Sequence, residues 1–185
     1  MTEFARIDPE LSDSELVERG RSGDEAALGA LVRRHQDMAY RVALSITRNE
    51  DTAMDVVQDG FLKAFRALDG FRGDAAFRTW LGTIVANEAR GALRSAKRRR
   101  ESALDEVGPV ASDEKDVSEA VEIIDESSRA RRMMEQLPEK QRLSVALRID
   151  EGLSFREIGE LIGSSEGAAR VNYFHGIRRL RELMQ

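Results

Sequence analysis

Between Phe71 and Arg100, apolar, small and polar side chains each recur at intervals of three and four, so that the stretch wound as a helix presents three separate faces. A strand, with its period of two, cannot sort these residues in that way. From a start near Ala75, Phe77, Trp80, Leu81, Ile84 and Val85 make an apolar face. Gly82, Ala86 and Ala89 form a small-residue strip beside it, along which a second helix can come close. The third face carries Thr79, Thr83, Asn87, Arg90, Arg94 and Lys97 and ends in Lys97-Arg98-Arg99-Arg100. Permanently charged guanidinium groups, with an amide able to pair with an adenine edge, suit a phosphate backbone with some base contact. The same row also suits a solvated helix surface, and Glu88 fits neither reading.

Upstream, the pattern is helical throughout. Residues 1–11 lack periodicity and are expected to be frayed. Ser12 and Glu15 have capping-box spacing and open a short helix through about Arg21. Gly23-Asp24 stops it and caps a long helix from Glu25 to about Thr47, with Leu28, Leu31, Val32, Met38, Val42, Leu44 and Ile46 on one side. His35 has no companion at metal-ligand spacing and is expected at the surface or its boundary. Asn49, Glu50 and Asp51 start another helix through Leu68, burying Val56, Val57, Phe61 and Phe65 and showing Asp55, Gln58, Asp59 and Leu62. Gly60 in mid-helix costs about 1 kcal/mol relative to alanine, which points to close packing there. The loop Asp69–Asp74, with two glycines around Phe71 and Arg72, then delivers the chain to the three-faced helix.

The net charge of −5 conceals an uneven distribution. Residues 72–100 hold eight Arg or Lys against Asp74 and Glu88, whereas residues 101–126 hold Lys115 as their sole cation among ten carboxylates. Gly108-Pro109 and the acidic run read as an extended linker, with Val117, Val121 and Ile124 able to support a short helix at its far end. Two basic blocks separated by an acidic one imply local polyanion-binding surfaces.

The last sixty or so residues return to helical periodicity. Ala130, Met133, Met134 and Leu137 precede Pro138, which suits a helix start, and Leu143, Ala146 and Leu147 line the next helix up to Gly152. Ser154 with Glu157 repeats the capping-box spacing and opens a helix bearing Phe155, Ile158, Leu161 and Ile162. After Gly163-Ser164-Ser165, a final helix puts Ala169, Tyr173, Gly176, Leu180 and Met184 on one side. Gly167, Val171, Phe174, His175 and Arg178 fall on the other, flanked by Arg170 and Arg179. A short helix, a tight turn and a longer helix with an outward basic and aromatic face describe a helix-turn-helix. An outward Phe and Val are poor solvent surface, yet can touch thymine methyl groups in a major groove.

The fold expected is therefore all-α: two small helical domains, residues 12–100 and 128–185, joined by an acidic flexible linker at 101–127, the second a helix-turn-helix. No paired carboxylates, nucleophile-base set, phosphate-cradling loop or metal-ligand cluster appears, so neither enzymatic activity nor a cofactor is expected. The absence of Cys excludes disulfides and thiolate metal sites, no apolar run approaches a membrane span, and a cytoplasmic chain without membrane insertion is expected.

Taken in order, the strings SELV, GDEAALGALVRRH, DVVQDGFLKAF, FRGDAAFRTWLGTIVANEAR and LPEKQRLSVALRIDEGLSFREIGELIGSSEGAARV resemble the extracytoplasmic-function (ECF) sigma factors of bacterial RNA polymerase. The likeness covers nearly everything from Ser14 to Leu183 except the linker. It implies a promoter-specificity subunit whose partners are core RNA polymerase, through the largest subunit's clamp coiled coil and the flap, promoter DNA, and an anti-sigma factor that can hold it at the membrane. By resemblance Asp55, Gln58, Asp59 and Leu62 dock on the clamp coiled coil. Phe71, Arg72 and Asp74 capture a base flipped from the minus-ten element, and Arg78, Asn87, Arg90 and Arg94 hold adjacent bases and phosphates. The final helix, with Ser165, Arg170, Val171, Phe174, His175 and Arg178, reads the minus-thirty-five element. Met54, Gly60, Ala168, Ala169 and His175 depart from residues usual in the family, and the last three imply an altered sequence preference. A stand-alone helix-turn-helix regulator and a sigma-mimicking interaction module are the other classes compatible with these residues.

Overall fold

The computed structural model describes residues 11–107 and 126–184, and among these every regular element is helical. Residues 1–10 of the expected frayed start, residues 108–125 of the linker expected at 101–127, and the short helix expected around Val117, Val121 and Ile124 lie outside the described residues. Residues 101–107 of that linker are instead helical as the end of α4 (Phe77–Val107), and residues 126–127 as the start of α5 (Glu126–Glu135).

Local chemistry starts each helix of the first half. Helix α1 (Asp13–Arg21) opens on a full capping box: the Glu15 N–H donates to the Ser12 hydroxyl at 3.3 Å and the Ser12 N–H donates to the Glu15 carboxylate at 2.7 Å. Gly23, at φ 86°, turns the chain, and the Asp24 carboxylate accepts from the Ala26 and Ala27 N–H groups to begin α2 (Glu25–Thr47). The Asn49 side chain accepts from Thr52 N–H at 2.8 Å and starts α3 (Glu50–Arg66), which runs into a 3₁₀ turn at Leu68–Gly70. Helix α4 (Phe77–Val107) is the three-faced segment, and it continues past its expected end at Arg100.

Helices α2, α3 and α4 pack on one another around Leu31, Val42, Leu81 and Val85, all fully buried, with α1 laid on α2. Glu88, which fitted no face in the sequence, projects towards α3 and binds the Lys63 ammonium at 2.5 Å.

One expectation is corrected here. His35 is 7% exposed and lies inside the first half. Its Nε2 is 2.8 Å from an Asp13 carboxylate oxygen, and its ring stands 5.3 Å from that of Phe77. A partner from the start of α1 satisfies the imidazole, so burial leaves no polar group stranded. Partial burial, the largest influence on Asp13, works to raise its pKa. The hydrogen bonds from His35 and Arg34 prevail and hold it below the ordinary carboxylate value.

The second half comprises α5 (Glu126–Glu135), α6 (Glu139–Ile149), α7 (Phe155–Ile162) and α8 (Glu166–Leu183). Pro138 stands at the N-cap of α6. Ser154 and Glu157 complete a second capping box, and the Ser165 hydroxyl accepts from Ala168 N–H at 3.2 Å at the head of α8. The turn between α7 and α8 depends on two glycines. Gly163 is left-handed at φ 63°, and a Cβ on Gly159 would come within 2.9 Å of the Ser164 carbonyl oxygen.

The halves do not sit apart. Helix α7 packs on α4, and α6 on α2. Buried apolar side chains run without a break from Leu81 and Val85 into Leu143, Leu147, Leu161 and Ile162. The small-residue strip marks the crossing, since a Cβ on Gly82 would fall 2.5 Å from Leu161 Cδ1. Arg142, 4% exposed, spans the seam by donating from Nε to the Ser45 carbonyl and from a terminal nitrogen to the Leu137 carbonyl, each at 2.6 Å. Burial, and then the nearby Arg48 charge, draws its pKa below the usual arginine value against the pull of Glu139 and Glu135.

Candidate nucleic-acid interface

On α3, the predicted polymerase-facing residues Asp55, Gln58, Asp59 and Leu62 share one exposed face. Leu62 is 46% exposed, and Met54 beside it on the same side is 56% exposed, giving an acidic surface with two apolar points.

The loop that follows behaves differently from its expected role in one respect. Phe71, expected to meet an extruded base, is only 9% exposed. Its ring lies 5.8 Å from Phe77, nearly perpendicular to it, and 4.9 Å from Trp80, while Arg21 donates to its carbonyl oxygen. In this arrangement it anchors the loop in the core. Arg72 and Asp74 are fully at the surface, 3.3 Å from each other, on either side of Gly73 at φ 77°.

The polar face of α4 divides into two parts. Asn87 and Arg94 are exposed and line an open cleft between α3 and α4 together with Lys63 and Arg98. Arg78 and Arg90 instead turn to the second half. Arg78 donates to Glu157 of α7 at 2.9 Å, and Arg90 donates through Nε and a terminal nitrogen to one carboxylate oxygen of Glu139 at 3.0 and 2.9 Å. Partial burial works to raise the pKa of Glu157. The Ser154 N–H, the Arg78 guanidinium and the Ser154 hydroxyl outweigh it and hold the carboxyl at about 2. Thr79, on the same stripe, is 1% exposed, and its hydroxyl is the one buried side-chain polar atom without a partner among the described residues.

All six residues predicted for the last helix, Ser165, Arg170, Val171, Phe174, His175 and Arg178, are exposed on α8 or at its cap. Val171 and Phe174, one turn apart on that face, are 55% and 59% exposed. Phe155, half-buried at the head of α7, was not singled out in the sequence as an interface residue. The guanidinium carbons of Arg148 and Arg170 lie 5.1 and 5.3 Å from its ring centre, and Arg170 is also held by Glu166 at 2.9 Å. Glu139, Glu151 and Glu157 were likewise missed, because their partners lie in the other half of the chain. Among the described residues no group of His, Cys, Asp and Glu could hold a metal ion, and no helix is long and apolar enough to cross a membrane.

A helix-turn-helix with an exposed apolar and basic reading face, joined to a helical half that carries a second cationic face, defines a DNA-binding protein of two modules. Residues 31–99 match the family described as Sigma-70 region 2, and residues 127–180 match Sigma-70, region 4. The ECF RNA polymerase sigma-E factor of Escherichia coli (strain K12) is 36% identical over 177 residues, covering 89% of this chain and 90% of that protein. The ECF RNA polymerase sigma factor SigM of Mycobacterium tuberculosis is 33% identical over 175 residues, covering 95% and 86%. Among solved structures, CnrH in complex with the cytosolic domain of CnrY is similar, with a TM-score of 0.69 and 28% identity over 96% of this chain and 97% of that one. The chain belongs to the ECF RNA polymerase sigma factors, transcription initiation factors rather than enzymes.

Proposed function

We propose that this chain is a promoter-specificity subunit that binds core RNA polymerase, recognises two promoter elements and helps to open the strands, with no catalysis of its own. In this reading Asp55, Gln58, Asp59 and Leu62 form the polymerase-binding face, and their shared exposure on α3 supports it. Arg72, Asp74, Asn87 and Arg94, with Arg78 and Arg90 once these are released from their carboxylate partners, hold the minus-ten element, and Phe71 fixes the loop that presents them. Capturing an extruded base costs a few kcal/mol of unstacking, which edge hydrogen bonds from Arg72 and Asp74 offset. The α8 face of Arg170, Val171, Phe174, His175 and Arg178 reads the minus-thirty-five duplex, with Ser165 at its cap. Residues 12–100 and 128–185 are the working units, and the acidic stretch 101–127 connects them in sequence. The chain works in the cytoplasm, and an anti-sigma factor holds it inactive, at the membrane where that partner is a membrane protein.

The observation that carries the reading is the exposure of Val171 and Phe174 among cations on the second helix of a helix-turn-helix. Run-off transcription with purified core polymerase tests it. Arg90→Ala with Arg94→Ala should reduce promoter-dependent RNA while leaving polymerase binding intact. Loss of both together makes those residues structural and defeats the assignment.

A further inference from the structure

Arg21, the last residue of α1, places one guanidinium against the loop that leads to Arg72 and Asp74. Its Nε donates to the Leu68 carbonyl at 3.2 Å and its Nη2 to the Phe71 carbonyl, while Nη1 pairs with Glu18 one turn earlier in α1. The two carbonyls lie 47 and 50 residues further along the chain, so only the packing of α1 on the loop brings them to it. Gly20 permits that approach. It is buried, and a Cβ there would stand 2.6 Å from Leu28 Cδ2 and 3.2 Å from Leu68 Cδ2. Leu16 and Val17, both buried, already hold α1 to its neighbours, so docking of the helix does not depend on Arg21.

The two carbonyls bracket the tight part of the loop. The Phe71 N–H donates to the Leu68 carbonyl at 3.1 Å, and both side chains are buried, that of Phe71 against Phe77 and Trp80. Ring contacts fix the Phe71 side chain but leave its carbonyl able to turn about ψ. A charge-assisted hydrogen bond on that oxygen removes the freedom. It sets the plane of the Phe71–Arg72 peptide, at ψ 112°, and with it the direction in which Arg72 leaves the core. A planar guanidinium suits the task, because Nε and Nη2 have a fixed separation and hold both carbonyls in one geometry. Past that peptide, Arg72 and Asp74 are joined across Gly73, at φ 77°, by an exposed ion pair too weak to fix a direction by itself.

We propose that Arg21 is a positioning residue for base selection: through the loop backbone it holds Arg72 and Asp74 in the orientation from which they address the edge of an extruded base. Glu18 orients Arg21 in turn. Hydrogen bonds to a base edge weaken steeply with angle, so a loop free to pivot at Phe71 still meets the strand but discriminates less between bases. The inference rests on the assignment of Arg72 and Asp74 to that base.

The test uses the full chain assembled with core polymerase and a pool of short random single-stranded DNA, the bound fraction being sequenced. The parent should show a strong base preference at one position of the proximal element. Arg21→Met keeps the aliphatic stem and should flatten that preference by about tenfold, the discrimination that one bidentate edge contact carries. Affinity for core polymerase, and the preferences shown on a random duplex pool, should stay as in the parent. Arg21→Lys, whose ammonium lacks the fixed fork, should recover part of the lost preference. Trp80 is the single tryptophan and its ring stands 4.9 Å from that of Phe71, so its emission reports the aromatic anchor and should not shift in either variant. An unaltered preference in Arg21→Met overturns the proposal. So does a loss accompanied by red-shifted Trp80 emission and weaker polymerase binding, which makes Arg21 a packing residue. If Arg72→Ala with Asp74→Ala keeps the preference, the base-capture assignment fails and takes this inference with it. If that pair abolishes the preference and Arg21→Met does not, only the positioning role falls.

Discussion

Gly60 of α3 lies against Val85 of α4 so closely that a Cβ on the glycine would stand 2.8 Å from Val85 Cγ2. Val85 is fully buried and β-branched, so its methyl cannot swing away without moving α4. Gly60→Ala sets a helix-propensity gain of about 1 kcal/mol against an overpacking cost of about 1–3 kcal/mol. The net should be a loss, lowering the melting temperature by about 2–4 °C per kcal/mol for a chain of this size. Gly60→Val should lose more. A rise in melting temperature for either variant contradicts the crossing geometry.

Glu157 supplies a pH dependence whose direction follows from its charge. Folding brings its pKa from 4.5 to about 2, so the folded chain binds fewer protons than the unfolded one between those values. The stabilisation is complete above about pH 4.5 and lost as pH falls through about 2. Glu157→Gln keeps capping capacity and removes the charge. Its melting temperature should fall below that of the parent at neutral pH, and the two curves should converge as pH drops from 4.5 towards 2. Parallel curves across that range would show that the charge of Glu157 is not what stabilises this corner.

The stranded hydroxyl of Thr79 predicts an unusual sign. Thr79→Val preserves shape and removes an unsatisfied buried group, and should raise stability by about 1 kcal/mol, since deleting an unpaired polar atom removes its desolvation cost. Most buried substitutions lower stability, which makes the outcome diagnostic. A melting temperature below the parent's would mean that the hydroxyl has an unseen partner, such as a buried water.

On α8, charge and apolar contact should separate experimentally. Arg178 has a side chain 79% exposed and is suited to a phosphate, so Arg178→Ala should weaken duplex binding evenly across sequences. It should also reduce the slope of log affinity against log salt by about one. Phe174→Ala should leave that slope alone and relax the preference for particular bases. Equal effects of both changes on the salt slope would count against the division.

Features settled by neighbouring residues were legible before any coordinates. The caps at Ser12, Asp24, Asn49, Ser154 and Ser165 all form as their spacing indicates, because each closes within three residues. The small-residue strip at Gly82 announced a close helix, though not which one. What escaped was governed by partners distant in the chain. His35 reads as a surface residue until Asp13, 22 residues earlier, is brought to it. Phe71 has the chemistry to stack on a base, and only the placement of Phe77 and Trp80 shows that the core claims it first. Arg78 and Arg90 look alike in sequence to Arg94, yet α6 and α7 reach the first two and leave the third in solvent.

The carboxylate of Glu157 is held twice, by the Ser154 backbone and hydroxyl within α7 and by Arg78 across the seam. The first hold is local to α7 and needs nothing from α4. The anion is therefore already oriented where Arg78 meets it, so the bond across the seam restricts one side chain instead of two, and the rotamer entropy lost on forming it falls on the arginine.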